Sequence, residues 1–423
     1  YLGGQALSGT FGHPFCEFVK WEYEPTGLSE LVVYFLRRFF SIVKARGFTA
    51  FITTNSITDG DIRKDGLEQV TSSGGAINMA VRNVRWPGRA NLVVSLISLH
   101  NGYWDRKRVL DGAEVPTINS FFEPDLDSHP PAVLGESRGI VFQGTIPLGD
   151  GFLLTPEEAR RMIATDERNA QVVLAVTNGD EINSLPNQSP ARFIINFGER
   201  TEIESRKYDL PFATIEERVR PARMAQRNDR AKKLWWQYYR YNRQCYEVIS
   251  SLDRCFVAAA TTKYLNFSAT TTQHLFLNTL YIFATSRWDL YSVVQSTLHE
   301  VWARKYSGSL ETRLRYSSTD CFETFAFPGD IWDNENELLP HIGERYHEHR
   351  RELMLSLWLG LTKIYNLFHD PNLSSETVQR TSGKDEETAR EGYAGLLELR
   401  RLHVEMDNAV RDAYGWQDLD LEH

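Results

Sequence analysis

Two β-favouring runs, AINMAVRNVRW at 76–86 and LVVSLISLH at 92–100, flank the turn Pro87-Gly88-Arg89, and this spacing constrains the fold more than any other feature. Apolar, β-branched runs on either side of a Pro-Gly turn predict an antiparallel pair at the edge of a sheet. Upstream, Leu28, Val32, Phe35, Leu36, Phe39 and Val43 share one stripe of a helix predicted over 28–44, which Gly47 ends. FTAFIT at 48–53 follows, short and apolar, and then the polar TNSITDGD; this predicts a buried strand opening into a loop. A helix feeding a strand of parallel type is α/β grammar, so the first region reads as a partial α/β sheet. The Pro- and Asp-rich stretch from Phe121 to Pro131 reads as a linker.

From Val141 the texture changes to short, Gly-punctuated strands (VFQGTIPLGDGFLL). Thr155-Pro156-Glu157-Glu158 has the pattern of a helix N-terminus with a capping box. A helix from about Asp289 to Lys305 is expected to bury Leu290, Val293, Val294, Leu298 and Val301, before Ser307-Gly308 leads into the strand-like LETRLRYS. After Pro328 the pattern is mostly helical, with Leu396, Leu399, Leu402, Met406 and Val410 spaced for burial. The expected layout is a partial α/β sheet over 1–120, a linker over 121–140, a mixed α+β domain over 141–328 and a helical domain over 329–423.

Composition excludes several classes. At 423 residues and 42% hydrophobic the chain can bury two or three cores. No run approaches the roughly 20 apolar residues of a membrane helix, so no membrane association is expected. The opening YLGGQALSGTFGHPF lacks a charged segment followed by an apolar one, so it is no signal peptide and reads as the interior of a longer polypeptide. Cys16, Cys245, Cys255 and Cys321 lie far apart without a CxxC pair, which indicates neither a zinc site nor a disulfide framework and fits a reducing cytoplasm. His299 beside Glu300 is rejected as a metal pair, because adjacent helical residues diverge by about 100°. Gly149-Asp150-Gly151 and Gly3-Gly4 lack the spacing and lysine of a nucleotide loop and read as turns.

The net charge of −9 argues on its face against a polyanion partner. Locally the balance reverses: Arg218, Arg220, Arg223, Arg227, Arg230, Lys232, Lys233, Arg240 and Arg243 face one acid, Asp229, with Trp235, Trp236, Tyr238, Tyr239 and Tyr241 interleaved. Arg223, Arg227, Arg230, Lys232 and Lys233 are candidate phosphate contacts; a solvated helix face over buried tryptophans is the competing reading. In LETRLRYS, Glu311, Arg313 and Arg315 fall on one face of a strand and Leu310, Thr312, Leu314 and Tyr316 on the other. An arginine can fork onto guanine and a glutamate accept from cytosine, so this face suits base readout, with a cross-strand ion-pair ladder as the alternative. Thr261, Thr262 and Lys263 offer two hydroxyls and an ammonium, suited to a phosphate clamp or to structural roles in a strand.

The start YLGGQALSGTFG is similar to the residues that follow the Asn-Pro-Pro-aromatic motif of amino-methylating DNA methyltransferases, with Tyr1 as the motif's last residue. RGFTAFITTNSI and INMAVRNVRWPGRANLVVSLISLH continue that likeness to the family's closing hairpin. Further on, VFQGTIPLGDGFLLTPEEA, RFIINF, TTKYLNFSA and HEVWARKYSGSLETRLRYSSTDCFETFAFP resemble the target-recognition domain of MmeI-like type IIL restriction–modification enzymes. IGERYHEHR and LRRLHVEMDNAVRDAYGW resemble that family's tail.

The resemblance implies the C-terminal part of a Rossmann-like methyltransferase sheet, a mixed target-recognition domain and a helical C-terminal segment. It further implies a site-specific DNA adenine-N6 methyltransferase acting on double-stranded DNA. S-Adenosylmethionine would be held by a preceding half that this chain lacks, with a nuclease as a candidate domain ahead of it. The chain alone is therefore expected to be silent and to bind no cofactor tightly. Tyr1 would stack on the extruded adenine. Trp86, beside the Pro-Gly turn, is a candidate second wall around that base or a cap on the sheet edge. The alternative is a stand-alone DNA-specificity module without catalysis, which would have no need of half a methyltransferase sheet.

Overall fold

The computed structural model describes residues 3–24, 27, 29–88, 92–125, 131–226, 228–310, 313–329, 331–333 and 337–421. The chain divides into two compact units: Tyr1–Val133 with Ala303–Asp320, and Leu134–Trp302 with Cys321–His423. This differs from four consecutive segments in two ways. Residues 303–320 join the first unit, and the helical tail is one body with the strands of the second.

In unit 1, α1 (Gly4–Phe11) and α2 (His13–Glu22) precede α3 (Leu31–Ile42), and the sheet comprises β1 (Phe48–Thr54), β2 (Gly75–Arg85), β3 (Val93–Asn101), β4 (Arg108–Leu110) and β5 (Ala113–Val115). The order is β1-β3-β2-β4-β5. The expected antiparallel pair is present, but inside the sheet rather than at its edge, since β1 and β4 flank it: β2 runs antiparallel to β3, from Gly75 opposite Asn101 to Arg85 opposite Val93, with two register shifts. Because β1 is also antiparallel to β3, β1 and β2 point the same way. Leu36, Phe40, Ile57, Leu67, Val70, Ile77, Ile97 and Leu99 fill the core between sheet and helices. Gly75 is required there, since a Cβ would stand 2.5 Å from the Phe40 ring.

Two expectations for this unit are corrected. Strand β1 is not buried: within the described residues β3 is its one sheet neighbour, and Phe48 and Ile52 are about half exposed. Helix α3 buries Val33, Leu36 and Phe40, leaving Phe35, Phe39 and Ile42 at the surface. Its sequence, LVVYFLRRFFSI, is apolar nearly all round, so periodicity alone does not select the packed face. Residues 119–123, partly within the expected linker, form a tight turn with Phe122 fully buried in this core.

Unit 2 holds two four-stranded sheets. One orders Ser268–Thr270, Cys255–Ala259, Leu280–Phe283 and Val141–Gln143, all antiparallel. The other orders Leu275–Phe276, Val173–Thr177, Arg192–Ile195 and Leu153–Leu154, with the first pair parallel. The capping box forms as expected: the Thr155 hydroxyl accepts the Glu158 N–H at 3.2 Å and Glu158 accepts the Thr155 N–H at 2.8 Å. In the tail helix Glu386–Ala413, the five residues Leu396, Leu399, Leu402, Met406 and Val410 are all buried.

The helix expected over 289–305 is broken in two, Trp288–Gln295 and Thr297–Tyr306. Ser296 adopts ψ 157°, and the Asp407 carboxylate accepts the Thr297 N–H at 2.9 Å, capping the second helix. The break rotates the register, so Val301, expected inside, is 62% exposed. His299 is a core histidine, 4.6 Å from the Phe325 ring, and burial pushes its pKa down to about 3. All four cysteines are buried thiols. Among the described residues no helix is long and apolar enough to cross a membrane.

Candidate nucleic-acid interface

The segment LETRLRYS forms part of a hairpin in unit 1, with Gly308–Leu310 antiparallel to Arg313–Arg315 and Leu310 opposite Arg313. Alternation separates its faces: Leu314 and Tyr316 are buried, while Arg313 and Arg315 are exposed. Glu311 lies outside the described residues. Arg313 and Leu314 line a cleft of about 370 Å³ with Asn55, Asp59, Arg82, Asn83, Glu123, Arg304 and Lys305. Lys305 Nζ stands 2.9 Å from Glu123 Oε2. Burial works against its charge, but the hydrogen bond and attraction of Glu123 prevail and raise its pKa.

Part of the basic stretch 218–243 is neutralised by acids outside it, some four residues away and some distant in sequence. Arg218 pairs with Glu158 at 2.5 Å, Arg220 with Glu216 at 2.8 Å, and Arg243 with Glu199 at 2.9 Å and Glu247 at 2.6 Å. Arg223, expected at a phosphate, is 1% exposed and donates to the carbonyls of Pro147 and Gln237. It is a buried cross-tie between loops, and desolvation lowers its pKa. Trp235 and Trp236 belong to the core. Arg227 lies outside the described residues. Arg230, Lys232 and Lys233 remain, on the short helix Asp229–Lys233, with no ion pair among the described residues.

The 261–263 segment is partly structural. Thr262 is buried and its hydroxyl donates to the Tyr264 carbonyl at 2.7 Å, which corrects its placement in a phosphate clamp. Thr261 is half-buried, and Lys263 donates to Asn366 Oδ1 at 2.7 Å while lying 4.7 Å from the Tyr264 ring centroid. Trp86 stands just past β2, its backbone N–H donating to the Leu92 carbonyl at 2.9 Å, and its side chain is partly exposed, 39% for the residue. A Cβ on Gly88 would meet the indole nitrogen at 2.5 Å, so the turn packs under one edge of the ring. Tyr1 lies outside the described residues. The structure thus brings Arg313 together with Asn55, Arg82, Asn83, Arg304 and Lys305, none of which the sequence singles out. Arg304-Lys305 next to the LETRLRYS strand is the one local signal that could have found them.

Residues 137–329 match the family model for MmeI, target recognition domain. The fold over 99% of the chain is that of the type IIL restriction-modification enzyme MmeI, solved in complex with DNA, with a TM-score of 0.70 at 18% identity and 54% of that chain covered. The chain therefore spans about half the length of the solved enzyme it matches. The type IIG restriction endonuclease BpuSI superposes with a TM-score of 0.28 at 10% identity over 95% of this chain and 53% of that one, too low to carry an argument. No curated protein matches the sequence.

Proposed function

We propose that this chain supplies DNA recognition, together with the C-terminal end of the catalytic sheet, to a site-specific DNA adenine-N6 methyltransferase of a restriction–modification system. The observation that carries the reading is the match of residues 137–329 to the target-recognition family within a chain that also carries the sheet of unit 1. Strand β1 at the end of its sheet, exposed Phe48 and Ile52, and the aromatic surface of α3 support a preceding α/β half that would extend this sheet. The same surface disfavours a stand-alone specificity module, for which an uncovered apolar edge is a liability.

S-Adenosylmethionine would belong to that preceding half. Among the described residues β1 leads into the short helical turn Asn55–Thr58 rather than a Gly-rich loop. Tyr1 is assigned the stacking wall for the extruded adenine, with Trp86 as a second wall, and Arg313 with Arg315 the reading of base edges. Selection of random duplex DNA by the purified chain tests the reading. Enrichment of one short motif containing an adenine is expected; a folded chain that enriches nothing would overturn it.

A further inference from the structure

We infer that the short helix Asp229–Lys233 is a phosphate-contact element, which lays Arg230 and Lys233, with Lys232 beside them, along the backbone of duplex DNA. The nature of the polyanion rests on the DNA-recognition reading; the choice of these three cations rests on what the fold does to the stretch that contains them. Nine basic residues lie between 218 and 243, and their spacing distinguishes none. The fold engages five of the eight that are described. Arg218, Arg220 and Arg243 are ion-paired, Arg223 is buried on two carbonyls, and Arg240 donates to the Gln143 side chain. Arg230, Lys232 and Lys233 are left, with no ion pair and no side-chain hydrogen bond among the described residues.

Carboxylates are not scarce in this chain, where acids outnumber basic residues 56 to 47. The paired arginines of the same stretch find acids on other elements as well as on their own. The helix has its own candidate in Asp229, three and four residues ahead of Lys232 and Lys233 and so placed for a helical ion pair. It pairs with neither among the described residues. Three adjacent cations against one carboxylate leave a local positive excess that the protein does not neutralise. Such an excess is what a polyanion requires, because each cation that meets a phosphate releases a condensed counterion.

The backbone beneath these side chains is anchored. Asn228 Oδ1 accepts the Ala231 N–H at 3.1 Å, and Ala231 is buried. The chain then enters the core through Trp235 and Trp236, and the Trp236 indole N–H donates to the Arg200 carbonyl at 3.0 Å. Arg230 and Lys233, three residues apart on the helix, are both exposed, and Lys232 is half-buried. Residues at this spacing are neighbours on one helix face, with about 5–6 Å between their Cβ atoms, within reach of adjacent phosphates of one strand. Contacts of this kind fix the position of the protein on the duplex and carry no sequence information. The helix lies within residues 137–329, apart from the hairpin that carries Arg313, so affinity and base reading are assigned to different elements.

The test compares the full chain with two double variants that remove the same charge. One is Arg230→Gln with Lys233→Gln; the other is Arg218→Gln with Arg243→Gln, whose guanidinia are already paired. Duplex affinity is measured against salt on several unrelated sequences, well below the thermal midpoint of each variant, and the motif enriched from random duplexes is compared. The first variant should reduce the steepness of log affinity against log salt by about 0.9 for each of its two residues, equally on every sequence, and should enrich the same motif as the parent. The second should keep the parent's slope. An unchanged slope in the first variant, or an equal loss in both, would overturn the phosphate role of the helix, while a chain that still enriches its motif keeps the DNA reading. A changed motif would make the helix a base reader and overturn the inference in that way. A folded parent chain that binds no duplex at low salt would sink the inference and the DNA reading together.

Discussion

Nε2 of His347 accepts the backbone N–H of Ala269 at 3.0 Å, which ties the tail helix Leu338–Leu357 to the strand Ser268–Thr270. The other ring nitrogen lies 3.0 Å from Glu348 Oε1, so Nδ1 carries the proton and the ring is neutral. A second proton would have to sit where the Ala269 N–H already points.

That geometry predicts acid lability. Burial pushes the His347 pKa down to about 4 against the opposing pull of Glu348, and burial alone lowers His274 to about 4 and His299 to about 3. In the unfolded chain these rings protonate near pH 6.5. The unfolded state therefore binds protons first, so stability is full above about pH 6.5 and falls as the pH drops toward 4. At about 1.4 kcal/mol per pKa unit, the loss is on the order of 3 kcal/mol for a ring shifted this far. Glu348, held down to about 2 chiefly by its hydrogen bond with His347, extends the decline below about pH 4.5. Urea unfolding midpoints measured across this range should fall steeply; a flat profile down to pH 5 would refute the assignment of neutral, buried rings.

Local signals were legible in the sequence and long-range ones were not. The β2–β3 pair, the Thr155–Glu158 capping box and the buried stripe of the last helix depend on turn chemistry, caps and periodicity, which act within a few residues. Arg223 looked like its basic neighbours, and its burial depends on the carbonyls of Pro147 and Gln237, far off in sequence or set by a turn. Val301 left the core because Asp407, over a hundred residues away, caps a helix that breaks at Ser296. The cleft needed residues near 55, 82 and 305 in one place, and no spacing in one sequence announces that.

Arg223→Ala separates structure from DNA contact. Removal of a buried guanidinium strands two carbonyls, which should cost roughly 1.5–3 kcal/mol. The thermal midpoint should drop clearly, while the salt slope of duplex binding, measured well below that midpoint, stays at the wild-type value. A reduced slope in a fully folded variant would mean that Arg223 reaches phosphate after all.

Arg313→Asp tests base reading on the exposed face of the hairpin. If the guanidinium forks onto a guanine, selection from random duplexes should show altered preference at one base pair, with a penalty of about 1–3 kcal/mol there. Equal weakening on all sequences would make Arg313 a phosphate contact only, in keeping with its place in the cleft and against its role in specificity.

The position of β1 at the end of its sheet predicts how the isolated chain behaves. Phe48 and Ile52 project from an end strand seven residues long, on the face opposite Phe51, whose ring meets Phe39 of α3. A long end strand on an apolar ground is the combination that drives strand-to-strand association. Sedimentation of the purified chain should show concentration-dependent self-association that Ile52→Lys suppresses. Because Ile52 is already about half exposed, the substitution should leave the unfolding free energy within roughly 0.5 kcal/mol of wild type. If the lysine variant associates as strongly as the parent, the edge is not the contact surface, and the support it lends to a preceding α/β half is withdrawn.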